Sequence, residues 1–172
     1  MPITVDLATS DETDVLLNLW QFYMKDLAEF RDSEVQADGR YRDDRLQTYL
    51  AYDEHWPFLI KSRGEIVGFA LVRKSKPSTY VIGDFFIKSE FRRSGVGGSA
   101  VAEILSKFVG DWEIPFQNEN PKAAAFWRRT IPELGYEAIE TNLQSDVWLS
   151  FSATTTCLFV SWNFLISNAG CC

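Results

Sequence analysis

Apolar and polar positions divide the chain into short segments of changing period. Ile3, Val5 and Leu7 alternate with polar neighbours, the pattern of a half-buried strand over 3–8. Thr9-Ser10-Asp11-Glu12 then supplies capping residues and acids suited to a helix start. Val15, Leu16, Leu19, Phe22, Tyr23 and Leu27 recur at helical spacing and predict an amphipathic helix to about Phe30. The polar stretch 31–44 predicts a loop, and the stretch 43–56 contains a shorter helix with Leu46, Tyr49 and Leu50 on one face. Trp56 to Lys61 and Ile66 to Val72 predict two strands joined by the tight turn Ser62-Arg63-Gly64-Glu65. Arg73 to Ser78 follows as a basic loop.

The centre of the chain changes period twice. Tyr80 to Ile87 is an apolar run of strand length, followed by the link Lys88-Ser89-Glu90-Phe91. A glycine-rich turn comes next, Arg92-Arg93-Ser94-Gly95-Val96-Gly97-Gly98. Val101, Ile104, Leu105 and Phe108 then return at helical spacing, so the order is strand, loop, helix. Trp112, Ile114 and Phe116 alternate as another strand. Asn118-Glu119-Asn120-Pro121 caps a further helix, with proline in its first turn and Gly135-Tyr136 past its end. Tyr136 to Glu140 and Val147 to Phe151 are the last two strands of a domain over 1–151. Residues 152–172 form an apolar tail without a charged residue; Leu158 to Ile166 is either an additional strand or an unpacked extension.

Composition narrows the class. At 172 residues, with 46% hydrophobic and 24% charged residues, the chain suits one soluble domain with a sizeable core. Residues 1–10 lack the basic start and apolar block of a signal peptide, and no apolar run has membrane-span length. Cys157, Cys171 and Cys172 all lie near the end, so no disulfide framework is implied and a cytoplasmic setting is expected. A single histidine, His55, and no C-x-x-C pair argue against a metal site.

Charge is unevenly spread. Residues 1–60 hold 13 acidic and 5 basic side chains, 61–110 hold 4 and 9, and 111–172 hold 7 and 3, for a net −7. The acidic first part argues against nucleic acid as a partner. Bordering an acceptor site it would attract a cationic amine; otherwise it is a solvated acidic helix surface.

The basic middle coincides with the glycine turn. Glycines let backbone approach a ligand, and the first turn of the following helix leaves N–H groups without partners. With the helix dipole and Arg92 and Arg93 alongside, this predicts a pyrophosphate site. No lysine follows the glycines, which disfavours a Walker loop, and the first glycine of G-x-G-x-x-G is missing, which disfavours a Rossmann site.

The turn fits R-x-x-G-x-G through Arg92, Gly95 and Gly97, and after the strand Phe85-Phe86-Ile87 it resembles the acetyl-CoA-binding segment of the GNAT superfamily of N-acetyltransferases. A second stretch, Asn120-x-x-Ala123-x-x-Phe126-Trp127 followed by Gly135-Tyr136, resembles that family's N-x-x-A-x-x-F-Y signature. Its F-W-R form looks like that of a bacterial group of acetyltransferases. The resemblance spans Ile3 to about Phe151. It implies an α/β (α+β) fold with a mixed, mostly antiparallel central sheet and helices on both faces. Two strands would splay apart to admit the pantetheine arm, and a homodimer is an assembly many such domains adopt.

The implied function is N-acetyl transfer from acetyl-CoA, without metal, to the primary amine of a small molecule or peptide, by direct attack in a ternary complex. The implied cofactor contacts are Phe86, Ile87, Arg92, Arg93, Ser94, Gly95, Val96, Gly97, Gly98, Asn120, Phe126 and Trp127. The backbone N–H of Ile87 would polarise the thioester carbonyl. Asp84, in the strand before the loop, is the first candidate base, and a solvent-facing carboxylate is its alternative. Glu90 is the second candidate, or a cap and ion-pair partner for the arginines. Tyr23, Tyr41 and His55 are candidate acceptor-pocket residues that could equally be packing or surface residues. Trp127 stands where many members place a tyrosine that protonates the leaving thiolate, and indole has no accessible acid proton. Two other classes therefore stay open: a catalytically silent acyl-CoA sensor or interaction module, and a phosphate-ligand protein unrelated to coenzyme A.

Overall fold

A computed structural model describes residues 2–143 and 146–153. Strand β1 (Ile3–Leu7) leads through a short 3-10 turn into α1 (Thr13–Leu27) and then α2 (Asp44–Ala51). Three antiparallel strands follow, β2 (His55–Ser62), β3 (Glu65–Lys76) and β4 (Thr79–Ile87). Helix α3 (Val96–Ser106), β5 (Gly110–Gln117), α4 (Pro121–Glu133), β6 (Ile139–Leu143) and β7 (Asp146–Ala153) complete the order. The strands form one sheet, β1-β2-β3-β4-β5-β7-β6, antiparallel at every junction except the parallel β4–β5 pair. Helices α1 and α2 pack on one face around Leu16, Trp20, Leu46 and Phe69. Helices α3 and α4 pack on the other around Val101, Ile104, Trp127 and Ile131. This is the mixed, mostly antiparallel architecture with helices on both faces.

Two irregularities position the site. Leu71 of β3 faces Asp84 while its neighbour Val72 faces Ile82, so Gly83 is an extra residue on β4. Side chains alternate between the faces of a strand, and one inserted residue reverses their assignment from that point on. Before the bulge, Tyr80 and Ile82 point to the α3/α4 face; beyond it, Phe85 and Ile87 do, and Phe86 turns to the α1/α2 face. The bulge thereby delivers Asp84 to the α1/α2 side. The second irregularity is the β4–β5 junction. The two strands stay in register only from Thr79–Val81 against Asp111–Glu113 and then part.

Element edges differ from the sequence reading where pairing overrides composition. The basic stretch 73–76 continues β3, because Arg73, Lys74 and Lys76 find partners in Val81, Tyr80 and Thr79. The second helix stops at Ala51, and β2 opens at His55 after Glu54 takes a positive φ of 57°. Tyr136 and Ala138 pack against the core ahead of β6, whose ladder with β7 starts only at Ile139. Strand β7 extends through Ser152 and Ala153, two positions that composition assigns to the tail. The strand considered at 158–166 lies outside the described residues. On α1 the buried stripe is Leu16, Leu19, Trp20, Met24 and Leu27, whereas Val15 and Phe22 lie exposed off that face.

Candidate active site

Where β4 and β5 part, a cavity of about 330 Å³ opens through the sheet. Its floor comes from Val81 to Phe85 of β4 and Pro115 to Gln117 of β5. Tyr23 and Arg31 approach from the α1 side and Arg45 from α2, while Asn120, Ala123 and Trp127 close it from α4. Beyond the last shared register, the β5-facing backbone groups of β4 have no ladder partner in the sheet. Such groups seek hydrogen bonds from whatever enters the gap.

Asp84 is the most unusual group in the cavity. Its side chain is 2% exposed, and burial pushes the carboxyl above the ordinary carboxylate range. The Arg45 guanidinium and the Tyr23 hydroxyl beside it oppose that rise without cancelling it. Tyr23 Oη donates to Oδ1 at 3.0 Å. Arg45 Nε stands 2.8 Å from Oδ2, but its N–H is not aimed at that oxygen, which has no well-aligned donor. Arg45 Nη2 donates instead to the Gly83 carbonyl at 3.1 Å. Gly83 must lack a side chain here, because a Cβ would lie 2.6 Å from the Tyr49 hydroxyl. Burial and the neighbouring Asp84 push the Tyr23 phenol well above its ordinary value, so it serves as a fixed donor. A buried carboxylate with an unfilled oxygen, held beside a cavity, is the arrangement a proton acceptor needs.

The glycine turn lies at the far end of β4. Arg93 and Gly95 both take positive φ, 62° and 85°, and Gly95 caps α3. The first turn of α3 carries no acidic residue, and its opening N–H groups have no partner within the helix. Val96 is buried beneath the turn and Ser94 Oγ donates to the Phe91 carbonyl at 2.6 Å, which together fix the loop. Arg92 is anchored inward: Nε donates to the Ile87 carbonyl at 2.7 Å, the guanidinium pairs with Asp26 of α1, and it lies over the Phe86 ring. Arg93 is exposed and forms no ion pair among the described residues. Gly97 serves packing: a Cβ there would come within 3.0 Å of the Phe126 ring. Phe126 in turn stacks on Phe85, with ring centroids 5.6 Å apart, and Trp127 meets Phe85 edge-on. Asn120 caps α4 by accepting from the Ala123 N–H at 3.0 Å.

The remaining residues singled out from sequence do not converge on the cavity. Glu90 sits exposed on the turn between β4 and α3, hydrogen-bonded by Ser89 Oγ, and its own backbone N–H holds its carboxyl low. It does not line the cavity, and the partner of Arg92 is Asp26 instead. Tyr41 is tied by backbone to Gln21 in a paired hydrogen bond and packs on the α1 core. His55 meets Tyr49 edge-on and Tyr52 at a tilt, and its Nδ1 lies 2.9 Å from the Asp53 carbonyl. Ile87 lies three strand residues, about 10 Å, beyond Asp84 along β4 and does not line the cavity. The acidic residues of 1–60 also lie elsewhere: the charged side chains that this part contributes to the cavity are Arg31 and Arg45. Arg31, Arg45 and Arg73 were missed from sequence because nothing local marks them; a strand register and two helix ends bring them together.

The sequence model of the acetyltransferase (GNAT) family matches residues 17–131. The chain belongs to this family. No curated protein sequence matches it. The fold is shared with solved GNAT structures at low identity. An acetyltransferase from Thermus thermophilus aligns with a TM-score of 0.69 and 16% identity, over 89% of this chain and 98% of that one. The PaiA N-acetyltransferase of Thermoplasma acidophilum, solved with coenzyme A, gives 0.64 and 12%, over 89% and 100%. A GNAT family acetyltransferase from Elizabethkingia anophelis, with acetyl-CoA bound, gives 0.56 and 14%, over 88% and 98%. In this GNAT acetyltransferase the described residues hold no cluster of three metal-ligating side chains and no helix long and apolar enough to cross a membrane.

Proposed function

We propose that the protein moves an acetyl group from acetyl-CoA to a primary amine by direct attack within a ternary complex. The observation that carries this is the buried Asp84, turned by the Gly83 bulge into the cavity where β4 and β5 part. The residues present suit acetyl-CoA. The α3 turn offers unpartnered N–H groups without a nearby acid, Arg93 is free to meet phosphate, and the parted strands offer backbone groups to an amide-bearing arm. Acetyl-CoA supplies the activated acetyl thioester.

The chain's own residues do the rest. Asp84 accepts a proton from the incoming ammonium, whose free lone pair then attacks. Tyr23 holds Oδ1 in place, and Oδ2, which has no well-aligned donor, is the oxygen left to take the proton. A β5-facing N–H of β4 near Phe85 stabilises the charge that builds on the carbonyl oxygen. Phe85, Phe126 and Trp127 exclude water from the reacting centre. The Tyr23 hydroxyl is already committed to Asp84 and Trp127 has no acid proton, so the thiolate leaves unassisted and the second proton of the attacking nitrogen passes to solvent as the amide forms. With a thiol pKa of about 8.5 it can do so.

The test is calorimetric titration with acetyl-CoA, with ATP and NAD as controls, followed by a free-thiol assay across an amine panel. Selective binding and amine-dependent thiol release are expected. Trp127 at the acid position favours a second reading, binding of acyl-CoA without turnover. Selective binding with no release on any amine would select it, and absence of binding by a folded protein would reject both.

A further inference from the structure

The charge of the cavity lining bears on what the amine carries. Three guanidinium groups, Arg31, Arg45 and Arg73, face two carboxylates, Asp84 and Asp146. Arg45 is taken up by Asp84 and the Gly83 carbonyl. Arg31 and Arg73 form no ion pair among the described residues. The hydrogen bond of Arg31 is a 3.9 Å contact to the Met24 sulfur, a weak acceptor. Both side chains are half-buried. Arg73 shares its face of β3 with Phe69 and Leu71, so it points to the α1/α2 side where Asp84 stands. The Tyr49 hydroxyl on that side is buried beside the Arg73 and Arg45 guanidinium groups, without a well-aligned hydrogen bond to either. Arg31 lies close enough to Asp84 to favour its ionised form, but Asp84 is already paired with Arg45, so two half-buried guanidinium groups on one cavity lack an ion pair of their own and make a site for an oxyanion.

We infer that the acceptor is an amine that also carries an oxyanion, a carboxylate or a phosphate ester, bound by Arg31 and Arg73 while its nitrogen faces Asp84. Leu71, opposite Asp84, and Arg73 are two strand residues apart, about 7 Å. This backbone spacing puts both groups on one side of the cavity, within reach of a small molecule that carries an amine and an oxyanion. The second cation of a polyamine would meet the arginines there. Asp146 lies across the cavity in register with Gln117 and leaves the lining cationic even with both carboxylates ionised. The inference rests on the transfer reading for the amine and not for the oxyanion, so the two can be tested apart.

Amino acids are compared with their amides, and O-phosphoethanolamine with ethanolamine, as acceptors in the free-thiol assay. In parallel, N-acetylglycine, N-acetylglycinamide and N-acetylated O-phosphoethanolamine are titrated into wild type, Arg73→Gln, Arg31→Gln and Arg73→Lys, each first shown to be folded by thermal melting. Anionic members should be preferred by about tenfold or more over neutral ones, the scale of one charge-assisted hydrogen bond. The two Gln variants should lose that preference and Arg73→Lys should keep part of it. Preference for carboxylate over phosphate, or the reverse, names the oxyanion. Equal binding and equal turnover of acid and amide by wild type would overturn the inference, as would a preference untouched in both Gln variants. If the anionic probes bind in an Arg73-dependent way but no amine is acetylated, the transfer reading falls and the oxyanion site stands.

Discussion

Replacing Arg45 with glutamine tests the assignment of Asp84 as base most directly. The guanidinium nitrogen lies 2.8 Å from a carboxylate oxygen whose side chain is 2% exposed, and the arginine side chain itself is 49% exposed. At a charge separation of about 4 Å and an effective dielectric of about 20, the attraction is about 4 kcal/mol. Water reaches the half-exposed guanidinium and screens it, which leaves about 1–2 kcal/mol. That favours the ionised form of Asp84 by about one pKa unit. The Asp84 carboxyl already lies above the ordinary range because burial outweighs Arg45 and Tyr23, so losing Arg45 raises it further. The base must be ionised to act, and the acid limb of kcat/KM reports its pKa in the free enzyme. Arg45→Gln should therefore move that limb upward by about one pH unit, with less loss of rate on the plateau than below it. The assay is free-thiol release at fixed acetyl-CoA across pH, with melting temperatures to confirm the fold. A limb that stays in place or moves downward would refute the assignment.

Other outcomes follow from the same geometry. Asp84→Asn should lower kcat by about 10²- to 10⁴-fold, the usual worth of a general base, with acetyl-CoA affinity by calorimetry little changed. Because the folded state raises the Asp84 pKa, its contribution to stability is full below the unfolded value and is lost as pH rises through the folded one. Asp84→Asn should thus flatten the wild-type fall in denaturation midpoint over that window; an unchanged slope would contradict the burial argument. Gly97→Val forces a side chain against Phe126, and overpacking of this kind costs about 1–3 kcal/mol, read as a lower melting temperature together with weaker acetyl-CoA binding. Acetyl-CoA at about 100 times its Kd should stabilise the protein by about 2.7 kcal/mol in denaturant titrations, and Arg92→Ala, which frees the turn from Asp26 and Ile87, should reduce that gain.

The chemistry of the phosphate turn is legible in the residues because it is local. Strand, glycines and helix follow one another within the 80–108 stretch, and the N–H groups that meet an anion belong to that stretch alone. By sequence Gly97 makes room for a ligand, whereas its contact is Phe126, a partner many positions away that no local pattern could supply. Asp84 stands out by its place before the turn. Its burial, its Tyr23 donor and its Arg45 partner depend on the bulge at Gly83 and on helices far away in sequence. Glu90, Tyr41 and His55 are equally suitable by residue type, and packing sets them apart from the cavity. The acidic balance of the first sixty residues suits either an acceptor site for a cation or a solvated helix surface, and the charged side chains this part brings to the cavity are arginines.

Periodicity and short motifs are properties of neighbouring residues, and they were enough to fix the order of elements, the glycine turn and the family. Which face Asp84 occupies was settled only by the packed sheet, because one bulge reverses the alternation of a strand and pairing with β3 alone locates it. The charge of the acceptor cavity has the same origin, because Arg31, Arg45 and Arg73 meet only when a helix end, a helix start and a strand close around the parted β4 and β5.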